Sequence, residues 1–426
     1  MASAVPHPCP GLVRMTSPDP YATTPDYSAS AGLAPAAAPV YATAPTGQVT
    51  FGAPVQPQPA RSSTLLALGI VGISIAGIAG LLVLGYLLLA IGPVVVFVGG
   101  IMALVPLAIV IGAVLWVDRW EPEPRLALLF AFLWGAGVSV VGALIVGFAV
   151  QGLVDALADG DPTTGQFLGA AIQAPIVEEV GKGIGLLLIF LVARKHFDGP
   201  VDGIVYAAWV AAGFAFTENI LYFGSQILQE GSFLSPGVFM IFLVRGLMSP
   251  FAHVMFTAFT GAALGFAARR GLGPLGGIGF WLIGLVPAIL LHAFWNGILF
   301  VPGLNFFVYF FLVQFPLFLG VVAIVIVLRR QEAKLTRTRL AEYAAAGWLH
   351  PAEVDALATP AGRRQAKQWA ASTGRGQIMK DYIKDATKLA FARQRVITGR
   401  DRIGSQADEA QLLQRISQQR AALGAV

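Results

Sequence analysis

Glu178, Glu179 and Lys182 sit close together in the middle of an apolar run from about Phe167 to Ala193. Such a run is long enough to cross a bilayer as a helix. One charge near the centre of a membrane helix costs on the order of 3 kcal/mol even on lenient insertion scales. Groups that tolerate that position face a protein interior or a water-filled cavity. The fold is therefore constrained, because other helices must bring polar groups to meet these three.

Seven further apolar segments are long enough to do so: roughly Leu65–Ile91, Pro93–Val117, Leu126–Val150, Asp202–Leu228, Gly237–Ala268, Leu275–Val301 and Gly303–Leu328. Only 12% of residues are charged, about half the share of an ordinary soluble domain. The expected fold is all-α, a polytopic membrane protein of about eight transmembrane helices. Basic residues occupy alternate connections: Arg119 and Arg125, then Arg194 and Lys195, then Arg269 and Arg270, and finally Arg329, Arg330 and Lys334. The other connections carry Asp155, Asp159 and Asp161, or only Glu230. By the positive-inside rule both termini are expected to be cytoplasmic, in an integral, multi-pass cell-membrane protein. The first two segments, joined at Gly92-Pro93, also admit a single hairpin.

Residues 1–64 form a Pro/Ala/Thr-rich stretch with almost no charge, expected to be disordered and not a signal peptide. Residues 65–328 form the membrane domain. Residues 329–426 read as a basic, cytoplasmic, helical region with stretches near 352–357, 361–371 and 378–397, and Thr359-Pro360 as a helix start. Trp348, Leu349, Val354, Leu357 and Trp369 are its expected core. Its charge suits anionic headgroups of the lipid bilayer, and no nucleic-acid motif is present. The single cysteine, Cys9, excludes an intramolecular disulfide framework, a thiolate metal cluster and an intramembrane thiol nucleophile.

The remaining polar groups within spans are Glu218 with Asn219, Arg245, His253, and His292 with Asn296. Glu178 and Lys182 share a helix face, as do His292 and Asn296, and Arg245, Ser249, His253 and Thr257 form one stripe down a single face of their helix. Counted at 1.5 Å per residue, Glu178, Glu218 and His292 lie at similar depths, so one shared polar cavity is expected. A carboxylate beside imidazole can activate water, and a second imidazole with an amide can stabilise an oxyanion. Those parts suit peptide hydrolysis without a covalent intermediate. Glu178, His253 and His292 are also a possible ligand set for one divalent metal such as zinc, and the sequence leaves open whether metal or carboxylate activates the water. Structural readings stand beside these. Glu178–Lys182 can be an intrahelical ion pair, Arg245 can neutralise Glu218 or Glu179, and Asn219 and Asn296 can join helices. Asp202 reads as a cap. A proton- or ion-coupled transporter built on the same Glu and His residues, and a non-catalytic membrane scaffold, are the competing classes.

The stretches Glu178-Glu179-Val180-Gly181-Lys182, Phe214-Ala215-Phe216-Thr217-Glu218-Asn219, Ala252-His253 and His292-Ala293-Phe294-Trp295-Asn296 resemble the PrsW family of intramembrane proteases. Their order is also similar to the wider superfamily of CAAX prenyl proteases and bacteriocin-processing enzymes. The resemblance covers about Trp116 to Arg330. It implies an intramembrane endopeptidase acting on membrane proteins, such as single-span signalling regulators. By it, Glu178 and His253 activate water, His292 and Asn296 stabilise the oxyanion, Glu179 supports the site, and Lys182, Glu218, Asn219 and Arg245 assist. The wider superfamily often has Arg where Lys182 stands, and prenyl proteases often have His in the Glu218-Asn219 motif, which makes prenylated substrates less expected.

Overall fold

The structure is a computed structural model describing residues 63–194, 197–399 and 402–424. The expected N-terminal tail, apart from its last two residues, and Lys195 lie outside the described residues. Among those described, all regular structure is helical. Eight long helices come first: α1 (Ser63–Ile91), α2 (Pro93–Val117), α3 (Arg125–Ala158), α4 (162–192), α5 (Pro200–Glu230), α6 (Pro236–Arg269), α7 (Pro274–Phe300) and α8 (Phe306–Ala345). All but α4 are long and apolar enough to cross a membrane by length and composition. α4 has the length but carries three charges in its apolar stretch. The protein is an integral, multi-pass membrane protein.

The break between the first two segments falls where the sequence reading put it, and later boundaries differ. α1 and α2 are separate helices broken at Gly92, whose φ of 82 lies in the left-handed region that favours glycine. α4 starts earlier than expected: the Asp161 side chain accepts from Thr163 N and Thr164 N, and Pro162 fills the first turn. α8 continues well past Leu328 to Ala345, because no glycine or proline lies between Leu328 and Gly347. The unbroken stripe on α6 does not exist. Its helix stops at Ser249-Pro250-Phe251 and restarts at Ala252. Proline disfavours helical geometry in the residue before it, and Ser249 sits at φ −126 with its hydroxyl returned to Val244 O at 2.7 Å.

α5 lies at the centre. Two thirds of its apolar window is buried, against 11–28% for the other candidate spans. Small residues allow this. A Cβ on Gly213 would overlap the Phe132 carbonyl of α3, and one on Gly203 would overlap the Gly261 carbonyl of α6. Backbones thus meet without side chains between them, which is how membrane helices gain contact without a hydrophobic driving force. Asp202 caps α5, accepting from Asp198 N at 2.6 Å and Gly199 N at 2.9 Å.

Four shorter helices follow: α9 (Pro351–Ala358), α10 (Pro360–Ser372), α11 (Gly376–Ile397) and α12 (Arg402–Leu423). With the end of α8 they enclose a core containing Leu340, Leu357, Leu389 and Ile416. Leu349 and Val354 join it and Trp348 packs on it, but Trp369 is 47% exposed. The inward face of α10 instead holds Arg363 and Ala370, two turns apart.

This region is fixed to the α2–α3 connection. The Arg363 guanidinium stacks 3.4 Å from the Trp120 ring centroid and donates to Trp120 O and Thr387 Oγ1, while Trp120 Nε1 donates to Thr336 Oγ1. Arg395 pairs with Asp198 at 2.6 Å. In the same connection, Asp118 accepts from Glu123 N. Burial pushes the Asp118 carboxyl up to about 7 and raises Glu123 well above the usual carboxylate range. A carboxyl raised on folding contributes stability in full below its unfolded value, near 4, and loses it as pH rises through about 7. Purified protein should therefore melt a few degrees higher at pH 5 than at pH 8, on the order of 1 kcal/mol or more. Asp118→Asn should flatten that slope in thermal scans, and an unchanged slope would exclude Asp118 as its source.

Candidate active site

α4 presents its charges inward because Glu178, Glu179 and Lys182 lie on one side of the helix, facing α5, α6 and α7. Glu179 and Lys182 are fully buried and Glu178 nearly so. Two tryptophans hold the surrounding backbone: Trp134 Nε1 donates to Gly181 O at 2.9 Å and Trp281 Nε1 to Gly183 O at 2.8 Å. The glycines make room, since a Cβ on Gly183 would come within 2.9 Å of Trp281 Nε1. The sequence reading passed over both indoles, because a tryptophan in an apolar span gives no sign of what its N–H meets.

The four carriers of the sequence motifs converge. Lys182 Nζ lies 2.6 Å from Glu179 Oε1, 3.6 Å from Glu178 Oε2 and 3.2 Å from His253 Nδ1. It also lies 4.3 Å from the centroid of the Phe214 ring. Glu179 accepts from Thr257 Oγ1 at 2.8 Å through its other oxygen, and its first oxygen meets His292 Nδ1 at 3.1 Å. The expected Glu178–Lys182 pair is thus present, but Glu179 is the nearer partner. On α5, Glu218 pairs with Arg245 and meets His253 Nε2 at 2.8 Å. Arg245 Nε donates to Asn219 Oδ1 at 2.9 Å, and its guanidinium lies 3.8 Å from the Tyr222 ring centroid. Arg245 and His253, on either side of the break, reach one carboxylate. The His253 and His292 rings are edge-on, 5.3 Å apart, and Phe256 stacks on His292 at 4.6 Å. Asn296 donates to Ala170 O at 2.9 Å, so one of its two N–H groups is used in joining α7 to α4.

These contacts fix the protons. An ionised carboxylate only accepts, so His292 carries its proton on Nδ1, toward Glu179, and its Nε2 lone pair is free. That Nε2 lies 3.9 Å from Glu178 Oε2. An ammonium only donates, so His253 accepts at Nδ1 and donates from Nε2 to Glu218. Both of its ring nitrogens are engaged. Glu179 is the nearest carboxylate to Lys182 and Glu218 pairs with Arg245, while Glu178 Oε2 is buried with no hydrogen-bond partner.

The same atoms test whether a metal fits. Glu178, His253 and His292 each offer a ligand atom, all within 4.8 Å of one another. Glu178 contributes the orphaned oxygen, and Glu179 behind His292 is the outer carboxylate that commonly orients a ligating imidazole. Only His253 must exchange a partner, Lys182 or Glu218, to join them. The donor set fits one divalent cation.

Fold and site define a polytopic, all-α membrane protein with a buried carboxylate–imidazole centre built from four helices. Residues 123–326 match the PrsW family of intramembrane metalloproteases. The membrane domain of the chain is similar to that family over these residues. It is 30% identical over 159 residues to Protease PrsW of Clostridioides difficile (strain 630), and 32% identical over 158 residues to Protease PrsW of Geobacillus kaustophilus (strain HTA426). These alignments take in 37% and 36% of this chain and 60% of each relative's length. Protease PrsW of Bacillus subtilis (strain 168) is 29% identical over 198 residues, 46% of this chain and 78% of that protein. No solved structure matches the chain. The region beyond residue 326, including the Arg363 contacts, lies outside the family match.

Lys182 is the buried partner of Glu179, 2.6 Å from its Oε1. Lys182→Met should destabilise the purified protein by about 3–5 kcal/mol, the usual result of leaving one member of a buried pair alone. Adding Glu179→Gln should restore part of the loss. A single variant that melts with the parent would remove the ion pair from this role.

Proposed function

We propose that the protein is an intramembrane endopeptidase that hydrolyses peptide bonds of membrane proteins with water activated at Glu178. One observation carries the reading: the buried Glu178 Oε2, which has no hydrogen-bond partner, lies 3.9 Å from His292 Nε2. A carboxylate in excess of the local cations takes a proton from water more readily than one already paired. The names of the relatives point the same way, and regulated membrane proteolysis, with a single-span signalling regulator as substrate, is the biological setting we infer.

The remaining residues divide by what they touch. His292 sets the far side of the water position, its ring held by Glu179 and Phe256. His253, with both nitrogens engaged, positions Glu218 and Lys182; it does not serve as the base in this arrangement. Lys182 and Arg245 pair with Glu179 and Glu218, and Asn219 orients Arg245. The second N–H of Asn296 is available to the oxyanion formed when the carbonyl is attacked. The residues that would hold a metal are Glu178, His253 and His292, and a bound zinc ion would supply a Lewis acid and a water of lowered pKa. The loop charges support cytoplasmic placement of both termini; alkaline phosphatase fused after Val426 should then be inactive, and an active fusion would reverse the orientation.

Glu178→Gln should lower cleavage of a reconstituted membrane-protein substrate by about 10³-fold or more, while insertion and melting temperature stay near the parent's. Undiminished cleavage by this variant would falsify the proposal. A strong chelator separates the two forms of activation: loss restored by zinc assigns the water to a metal, and full activity assigns it to the carboxylate.

A further inference from the structure

The cations beyond residue 329 sort into two sets. Arg337, Arg339, Arg393, Arg395, Arg415 and Arg420 each pair with a carboxylate. The ammonium groups of the five lysines, Lys334, Lys367, Lys380, Lys384 and Lys388, form no hydrogen bond or ion pair among the described residues. Four of these lysines gather on one side. On α11, Lys380, Lys384 and Lys388 recur every fourth residue, and with Thr387 and Arg395 they take up about a third of the helix circumference. That edge faces the membrane domain, because Thr387 meets Arg363 against Trp120 and Arg395 pairs with Asp198. Lys388 is half-buried there, with Glu121 and Asp385 as opposing charges. Lys380 and Lys384 are exposed, as is Lys367, one turn past Arg363 on α10. Burial and repulsion from Arg363, Arg119 and Lys380 hold Lys367 below the usual lysine value, so like charges crowd this corner.

The corner lies at headgroup depth. Trp116 is half exposed in the last turn of α2, and the Arg329 guanidinium sits 4.3 Å from its ring centroid. Tryptophan and basic side chains of this kind collect at the membrane–water boundary. Arg119 follows three residues later, within about 5 Å along the axis. The corner also lies at the rim of the bundle. From Arg395 to Thr387, α11 passes from Asp198, beside the start of the central α5, to Trp120, just beyond α2. α2 is an edge helix, with Phe97, Ile101 and Leu104 exposed. Seven residues further in that direction, about 10 Å, bring α11 to Lys380, past the edge of the bundle. A soluble partner would have to enter the angle between helix and bilayer to reach these lysines, whereas a lipid headgroup already stands there.

We infer that Arg119, Lys367, Lys380 and Lys384 form a binding site for anionic phospholipid headgroups in the leaflet at which α2 ends. Ammonium and guanidinium groups donate charge-assisted hydrogen bonds to phosphate oxygens. The long, flexible lysine stem lets each charge follow a mobile headgroup, which the arginines locked in ion pairs cannot do. Each basic residue close to an anionic surface raises partition onto it by about 5-fold. A choline headgroup cancels its own phosphate charge and a glycerol headgroup does not, so the site favours the latter. All four residues lie outside the family match, and the site stands whether or not the protein cuts peptides.

The test uses full-length protein in nanodiscs containing phosphatidylglycerol or phosphatidylcholine, each carrying the same photoreactive group near its headgroup. Labelling of peptides from α10 and α11 is measured relative to that of α7, whose Ile283, Val286 and Leu290 are exposed. In the parent protein phosphatidylglycerol should label α10 and α11 more than phosphatidylcholine by about 10-fold or more, and added salt should narrow the difference. Lys367→Gln, Lys380→Gln and Lys384→Gln together should bring the ratio below about 3-fold. Lys367→Arg, Lys380→Arg and Lys384→Arg together should leave it at the parent's level, which separates charge from any effect on folding. Equal labelling by the two lipids in the parent, or a preference that survives the three Gln substitutions, overturns the inference. Abolition of the preference by inorganic phosphate, or by a polyglutamate peptide, at the concentration of the labelled lipid would also overturn it, because the ligand would then come from solution.

Discussion

Lys182 reaches Glu179 at 2.6 Å with both side chains sealed from solvent, and much of the bundle answers to that contact. An ion pair in such surroundings is held only if its spare donors and acceptors are also met. The ammonium therefore touches His253 and the ring of Phe214, and Glu179 takes Thr257 and His292. Those partners come from α5, α6 and α7. A pair formed within one helix thus fixes the relative placement of three others.

Close backbone approach makes that convergence possible. With α5 pressed against α3 at Gly213 and against α6 at Gly203, side chains of ordinary length span the distance to α4. The interruption at Pro250 serves the same end. In a straight α6, Arg245 and His253 would project along one line. The break lets both turn to Glu218, one through the guanidinium and one through Nε2. Helix irregularity at polar sites in membranes is tolerated where protein covers it, and here it lies over buried carboxylate.

Much of this was legible in the sequence, for a physical reason. Charges in apolar runs are so costly that their positions announce an interior, and loop arginines order the spans around it. Glu178, Glu179, Lys182, Glu218, Arg245, His253 and His292 all stood out on that ground, and the structure brings them together. Proton placement was hidden, because it depends on which nitrogen faces which group across helices. By resemblance His253 was expected to activate water and His292 to stabilise the oxyanion, but which ring nitrogen meets Lys182 or Glu179 was not legible in the sequence. Trp134, Trp281 and the break at Ser249 were hidden too, as was the exposure of Trp369. Each depends on which face a residue shows to a neighbour, which hydropathy does not report.

The two histidines show how one buried cation can divide a site. Lys182 occupies the lone pair of His253 directly, and that of His292 stays free because Glu179 takes its other nitrogen. The same ammonium stands 3.6 Å from Glu178, close enough to favour its charge but leaving Oε2 without a hydrogen bond. If Lys182 moved by one bond toward Glu178, the uncompensated carboxylate would be lost and His253 released. The packing of Phe214 beneath the ammonium and the indoles of Trp134 and Trp281 on the flanking carbonyls oppose that shift. The reactive character assigned to Glu178 therefore comes from where Lys182 is held, and the hydrophobic residues around the lysine belong to the chemistry as much as the carboxylates do.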